Sequence, residues 1–368
     1  MSRKKLLIIT QHIFPIQTPR SLRSTELIKE FGKRGYDVTV YAVFGDYDYS
    51  EFCKKYNVTL KSISLKWQFK PYSSDGKGKR NLIDRVLVKG LGKRYEFPDI
   101  EFKHRMEEIL EKESDSDVVI SIANPHPIHW GVARARKKLS KFPPLWIADC
   151  GDPYMKNNKG GKGLQFEKEE RAFCSEVDFI TVPVAEAVDG YYKEFRKKIK
   201  VIPQGFDFNL NQKEPLVSDK MRFLYAGVFI PEIREPNELF EILIESDKDF
   251  EFHVYTPYTN LIDKYRSKLE GKLVIHNVIP RTDLLKVIEG MSFVVNVTNK
   301  NTSTQIPSKL IDYAISSKPI LNIKNGNKAE NKDLVNKFLQ ADYSGQLIVE
   351  NLEKYHISNV VDQFEKLF

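Results

Sequence analysis

The sequence is short of cysteine: three in 368 residues, Cys53, Cys150 and Cys174, odd in number and in no metal-ligand spacing. That count excludes a disulfide framework and points to a reducing compartment. No apolar run approaches the roughly 20 residues a spanning helix needs. The basic start, MSRKK, is followed only by LLIIT before polar residues return, which does not make a signal peptide. There is no short internal repeat and no low-complexity tract, and no acidic cluster reads as a metal site. The expectation is a cytoplasmic protein without metal or cofactor. What is present is bulk. With 41% hydrophobic residues, the length exceeds one ordinary core, so two domains are expected.

Charge is divided unevenly. Residues 1–200 hold 38 Lys+Arg and 27 Asp+Glu, so 38 − 27 = +11; residues 201–368 hold 20 and 23, so 20 − 23 = −3. The densest part, residues 66–94, has nine basic residues against Asp75 and Asp84, with Trp67, Phe69 and Tyr72 at its start. Basic residues beside aromatics suit an anionic membrane surface, on the inner face of the cell membrane for a cytoplasmic protein. A solvated loop has the same composition. No nucleic-acid motif is present, so no nucleic acid is expected as partner.

Hydrophobic patterning alternates between strand and helix. Residues 5–10 read as a buried parallel strand, 11–19 as a proline-bounded loop, 20–34 as a helix closed by Gly35, and 37–44 as a second strand. Further strands are expected at 117–122, 145–148, 179–182 and 200–202, with helices at 128–139 and 166–175. The alternation restarts after a break near 203–211. It gives strands at 221–226, 251–255, 273–277, 291–297 and 319–323, and helices at 236–245, 283–289 and from Pro307 onward. Two successive β/α blocks predict an α/β fold of two Rossmann-like domains facing across a cleft. The expected domains are 1–205 and 206–353, with an amphipathic C-terminal helix within 354–368 that may pack back on the first. Ligands then belong at the carboxyl ends of strands, where Gly227, residues 298–305 and the 11–20 loop fall.

The segment 306–321, IPSKLIDYAISSKPIL, holds the densest chemistry. Pro307 suits a first helical turn, whose free N–H groups and dipole make an anion site. Lys309 supplies a point charge suited to a phosphate oxygen. Asp312 follows on the same face, where it could accept bonds from sugar hydroxyls. From spacing alone, a surface Lys309–Asp312 pair in water is an equal reading.

Several short motifs occur in the order of one family. Phe14-Pro15 and Arg23 precede Lys33-Arg34-Gly35-Tyr36-Asp37-Val38-Thr39-Val40; Asp149-Cys150-Gly151-Asp152-Pro153-Tyr154 follows a buried strand; Ile202-Pro203-Gln204-Gly205-Phe206-Asp207 lies at the break; and Pro307 to Leu321 matches a donor-site helix. In these the chain resembles the GT-B glycosyltransferases of family 4 and their relatives. The family's pair of glutamates eight positions apart would fall at Thr304 and Asp312, and the usual glycine-rich first loop is replaced by Gln17-Thr18-Pro19-Arg20-Ser21.

The resemblance implies a hexosyltransferase-type enzyme. It would move a sugar from a UDP- or GDP-sugar to a hydroxyl of a glycan or polyprenyl-linked acceptor, retaining and metal-independent, in bacterial surface polysaccharide or glycoconjugate synthesis. The implied donor set is Gly227, Arg234, Pro280, Arg281, Thr304, Ser308, Lys309 and Asp312. Arg234 stands where the family places a diphosphate-binding cation, and Pro280 and Arg281 end the nucleobase loop. On the acceptor side, His126 and His129 lie just past a strand, and histidine moves protons near neutral pH. His126 and Asp152 are the catalytic candidates. Arg20 and Arg23 are candidates for an acceptor phosphate, with helix capping as the competing role. A nucleotide-sugar 2-epimerase or a catalytically silent nucleotide-binding subunit would share the fold.

Overall fold

Strand β1 (Lys5–Ile9) begins a seven-stranded sheet in the computed structural model, which describes residues 3–66, 90–92, 95–155, 166–208, 220–300 and 308–368. The order is β3-β2-β1-β4-β5-β6-β7, with every pairing parallel. The remaining strands are β2 (Asp37–Ala42), β3 (Val58–Ser62), β4 (Val118–Ile122), β5 (Leu145–Asp149), β6 (Phe179–Val182) and β7 (Ile199–Val201). A parallel sheet is covered on both faces, and here successive residues of one strand enter different cores. Leu6 and Ile8 join Leu27, Ile28 and Phe31 of helix α1 (Pro19–Lys33). Leu7 and Ile9 face the opposite way, into a core with Phe102, Met106, Trp130 and Phe173. Those come from α3 (Ile100–Lys112), α4 (Pro127–Lys138) and α5 (Glu167–Glu176).

Helix α1 starts where its sequence dictates. Thr18 caps it by accepting from the Ser21 N–H at 3.2 Å, while the Ser21 hydroxyl accepts from the Thr18 N–H at 2.8 Å. Pro19 occupies the first turn, where its missing N–H has no cost.

Residues 1–207 and 354–368 form one unit and residues 208–353 the other. The terminal helix α10 (Ile357–Glu365) belongs to the first unit through Ile357, Val360, Val361 and Phe364, each at most 2% exposed. Burying each is worth about 2 kcal/mol. Arg34 clasps it from the end of α1, reaching Asp362 and Glu365 at 2.7 Å each.

The second unit has five parallel strands in the order β10-β9-β8-β11-β12. They are β8 (Met221–Ala226), β9 (Phe250–Tyr255), β10 (Leu273–His276), β11 (Phe293–Val297) and β12 (Ile320–Ile323). Helices α6 (Asn237–Glu245), α7 (Arg281–Glu289), α8 (Ser308–Ile315) and α9 (Lys328–Phe338) alternate with them. Both sheets reverse strand order once, at β1/β4 and at β8/β11, and such switch points are where open α/β sheets bind ligands.

The patterning missed four elements: α2 (Ser50–Tyr56), β3, α3 and α9. Helix α2 has only seven residues, and β3 buries one residue of five, so neither carries a full period of apolar positions. Most of the basic, aromatic stretch read as a membrane surface lies outside the described residues. Among the described residues no helix is long and apolar enough to cross a membrane.

Candidate functional site

The β8/β11 switch point gathers the cations. β8 ends in Tyr225 and Ala226 and passes into Gly227, whose φ of +144° is a conformation L side chains rarely adopt. A Cβ there would meet the Tyr225 hydroxyl at 3.3 Å and Lys309 Nζ at 3.8 Å. The backbone therefore favours glycine here, and a Cβ would also press on the Tyr225 hydroxyl.

Lys309, second residue of α8, sends its Nζ to 4.3 Å from the centre of the Tyr225 ring. The residue as a whole is half-buried, but Nζ itself is covered and has no hydrogen-bond partner among the described residues. Burial, then the nearby Arg234 charge, pushes the Lys309 ammonium well below the ordinary lysine range. Arg234 donates from Nε to Asn299 Oδ1 at 3.0 Å and from Nη1 to the Val228 carbonyl at 3.3 Å. Glu235, its neighbour in sequence, takes Lys300 at 2.6 Å. Helix α8 is fastened to β8 by the Ala226 N–H, which donates to the Tyr313 hydroxyl at 2.8 Å.

Lys309 and Asp312 do not make the surface pair that spacing allows. Asp312 Oδ1 instead accepts from Arg281 Nε at 2.8 Å and lies 2.7 Å from Arg281 Nη2. Burial raises the Asp312 carboxyl, and Arg281 opposes that rise. Pro280 precedes α7 and Arg281 opens it, so the expected nucleobase loop and the expected ribose acceptor meet through this ion pair. Ser308 opens α8. Thr304 and Pro307 lie outside the described residues, as does the Ser308 side chain.

In the first unit, Arg23 corrects an expectation. It is 1% exposed, and its fork grips Asp149 through Nε at 3.1 Å and Nη2 at 2.7 Å. It also donates to the carbonyls of Pro203 and Ile202. A guanidinium so committed is not available to an acceptor phosphate; it holds α1, β5 and the 202–203 segment together. Asp149 is buried, which would raise its carboxyl, but Arg23, Arg20 and the Thr181 hydroxyl hold it below the usual range. Arg20 is looser: its Nη1 is 3.4 Å from Asp149, and the space beside Gly151 is filled by its guanidinium. Asp152 follows at the same strand end, close enough to act on Arg20 electrostatically.

His126 directly precedes α4, 4% exposed, its ring against Tyr154 at 5.2 Å and His129 at 5.9 Å. His129 is structural. It stacks on Phe173, with Nδ1 2.8 Å from Ser121 Oγ and Nε2 3.3 Å from Cys150 Sγ. Burial pushes its pKa to about 3, so it stays neutral. Two Asp-x-Asp triplets, which the sequence reading passed over, also serve local structure. Asp48 caps Ser50, and Asp115 and Asp117 hold the Lys5 side chain and N–H. Among the described residues no group of three or more His, Cys, Asp or Glu could hold a metal.

The residues missed by the sequence reading are Tyr225, Asn299 and Tyr313. Tyr225 and Asn299 stand at the carboxyl ends of β8 and β11, a position that could have marked them; Tyr313 has no such signal, because its partner is a backbone N–H across the unit.

Two parallel Rossmann-like sheets with these orders define the GT-B fold, and solved structures share it. The lipopolysaccharide outer core galactosyltransferase WaaB, in its apo form, is 11% identical with a TM-score of 0.59 over 99% of this chain and 98% of that one. HepE of Anabaena, in complex with UDP and glucose, is 9% identical with a TM-score of 0.64 over 99% of both chains. TarM of S. aureus, a mutant in complex with fondaparinux, alpha-GlcNAc-glycerol and UDP, is 12% identical with a TM-score of 0.61 over 99% of both. No family model matches the sequence, and no curated protein matches it.

Proposed function

We propose that this chain is a glycosyltransferase that moves a sugar from a nucleoside-diphosphate sugar, a UDP- or GDP-sugar, to a hydroxyl of a glycan or lipid-linked acceptor. The observation that carries the reading is the cation pair Lys309 and Arg234. Both stand at the β8/β11 switch point, neither is paired with a carboxylate among the described residues, and Lys309 Nζ is buried without a hydrogen bond. Like charges held together in a dry site favour an anion, and a diphosphate supplies two adjacent ones.

The chemistry follows from that charge. As the glycosidic bond breaks, negative charge grows on the departing diphosphate, and Lys309, Arg234 and the first-turn N–H groups of α8 stabilise it. Gly227 leaves room for the ligand to approach the backbone. Asp312, fixed by Arg281, is the candidate acceptor for ribose hydroxyls. We assign donor binding to the second unit and acceptor binding to the first, with His126, Asp152 and Arg20 as its candidate residues. Retention of configuration and a place in bacterial surface polysaccharide synthesis, at the cytoplasmic face of the membrane, belong to the same proposal.

The test is calorimetric titration with UDP and GDP, repeated on Lys309→Ala with its fold checked by circular dichroism. Loss of one charge-assisted bond predicts affinity about 10- to 100-fold weaker. A folded variant with unchanged affinity for both nucleotides overturns the site. Incubation with nucleotide sugars then separates the reactions: slow donor hydrolysis fits a transferase, and epimer formation overturns it.

A further inference from the structure

A second constellation lies in the first unit, on the loops after β1 and β2. Phe14 and Tyr47 are 38% and 43% exposed, and their rings meet edge to face, 5.2 Å apart at 85°. Tyr47 in turn meets Tyr49 at 4.9 Å and 69°, and Tyr49 meets Phe44 at 5.0 Å. The two outer rings therefore stand on a half-buried base rather than on loose chain. Both loops are held: the Val43 N–H donates to the Gln11 carbonyl at 2.9 Å, and the Phe14 N–H donates to Thr25 Oγ1 at 2.8 Å. Asp48 accepts from the Ser50 N–H at 2.9 Å and the Ser50 hydroxyl at 2.6 Å, fixing the start of α2. Rings set perpendicular to one another make a corner, and both residues of it are more than a third exposed.

The charge around this corner narrows what fits it. Residues 11–18 and 44–51 contain Asp46, Asp48 and Glu51 and no lysine or arginine, in a half of the chain that is otherwise strongly basic. Carboxylates on the Tyr47 loop disfavour an anionic lipid surface or a phosphate there. They suit a neutral polyol. The C–H face of a pyranose packs on an aromatic ring, and its hydroxyls donate to flanking carboxylates.

We propose that Phe14 and Tyr47 form a subsite for an uncharged pyranose of a carbohydrate acceptor. The inference rests on the proposed glycosyl transfer for its place in the reaction, though the sugar contact stands by itself. It sits at the carboxyl ends of β1 and β2, next to the β1/β4 switch point, where His126 also lies.

Saturation-transfer NMR with maltotriose, cellotriose and chitotriose tests it on the full chain, with UDP titrated in parallel. At least one trisaccharide is expected to bind the wild type. Tyr47→Ala and Phe14→Ala should each weaken that binding about tenfold, and Tyr47→Phe should keep it. Both residues are exposed, so the variants should keep their fold and their UDP affinity. The proposal is overturned if no trisaccharide binds at millimolar concentration, or if binding survives both alanine variants. It is also overturned if phosphatidylglycerol vesicles bind the wild type and lose that binding in Tyr47→Ala. Failure of UDP to bind the wild type, with trisaccharide binding intact, sinks the donor reading and leaves this subsite standing.

Discussion

Lys309 Nζ stands 4.3 Å from the centre of the Tyr225 ring, buried and without a hydrogen-bond partner among the described residues. Among the described residues the ring face is what offsets a charge whose neighbour, Arg234, repels it. The arrangement is unfavourable without an anion, and its titration should show that.

Because the folded-state pKa of Lys309 is well below 10.5, the folded protein sheds this proton before the unfolded chain does. Unfolding therefore takes up a proton at any pH between the two values, and stability rises with pH across that window. Lys309→Met should remove this slope and raise the melting temperature at neutral pH. Wild-type UDP binding should draw a proton onto Lys309, measurable as a buffer-dependent binding enthalpy within that window that vanishes in Lys309→Met.

Arg23 is expected to be a stability residue. Arg23→Ala removes the buried Asp149 carboxylate's main partner, leaving the looser Arg20 and the Thr181 hydroxyl, and should cost about 3–5 kcal/mol in chemical denaturation. The folded Asp149 pKa is depressed, so its contribution is present above the unfolded value and is lost as pH falls through the folded one. The variant should accordingly lose part of the wild type's acid sensitivity. UDP affinity of the folded variant should be unchanged.

How far the sequence was legible depended on whether a signal was local. The β/α alternation was, because a parallel strand is a continuous apolar run, and so was the glycine that closes α1, Gly35 with a φ of +84°. Gly227 could be placed by its strand end and Lys309 by the helix start before it, whereas Arg234 entered only through the family resemblance. The structure places all three at the carboxyl side of the second sheet, and their roles are those proposed above. What could not be read was partnership across distance. Asp312 lies three residues from Lys309 but bonds Arg281, 31 residues away. Arg23 looks like one more basic residue on a basic helix until Asp149, 126 positions on, is folded against it. The Phe14–Tyr47 pair was likewise hidden, because its two rings stand on separate loops 33 positions apart.

Gly227→Ala tests the close approach at β8. A φ of +144° with a Cβ 3.3 Å from the Tyr225 hydroxyl should destabilise by about 1–3 kcal/mol and crowd the ring beneath Lys309. Nucleotide affinity should fall together with stability. Unchanged affinity in a folded variant would show that nothing approaches the backbone there.

Arg281→Met separates positioning from binding. With Arg281 present, the Asp312 carboxyl is already raised by burial; without it, the rise is larger. A carboxyl whose folded pKa is raised loses stability as pH climbs through the unfolded value toward the folded one, so the variant should fall further than the wild type between mildly acid and neutral pH. The cost at neutral pH should be about 1–3 kcal/mol, since the pair is only partly exposed. If Asp312 accepts ribose hydroxyls, the variant should bind UDP more weakly, and less so as pH rises and the carboxylate reforms. Comparison with the 2′,3′-dideoxy nucleotide decides the role: a smaller penalty there assigns Asp312 to the ribose, and an equal one makes the pair purely structural.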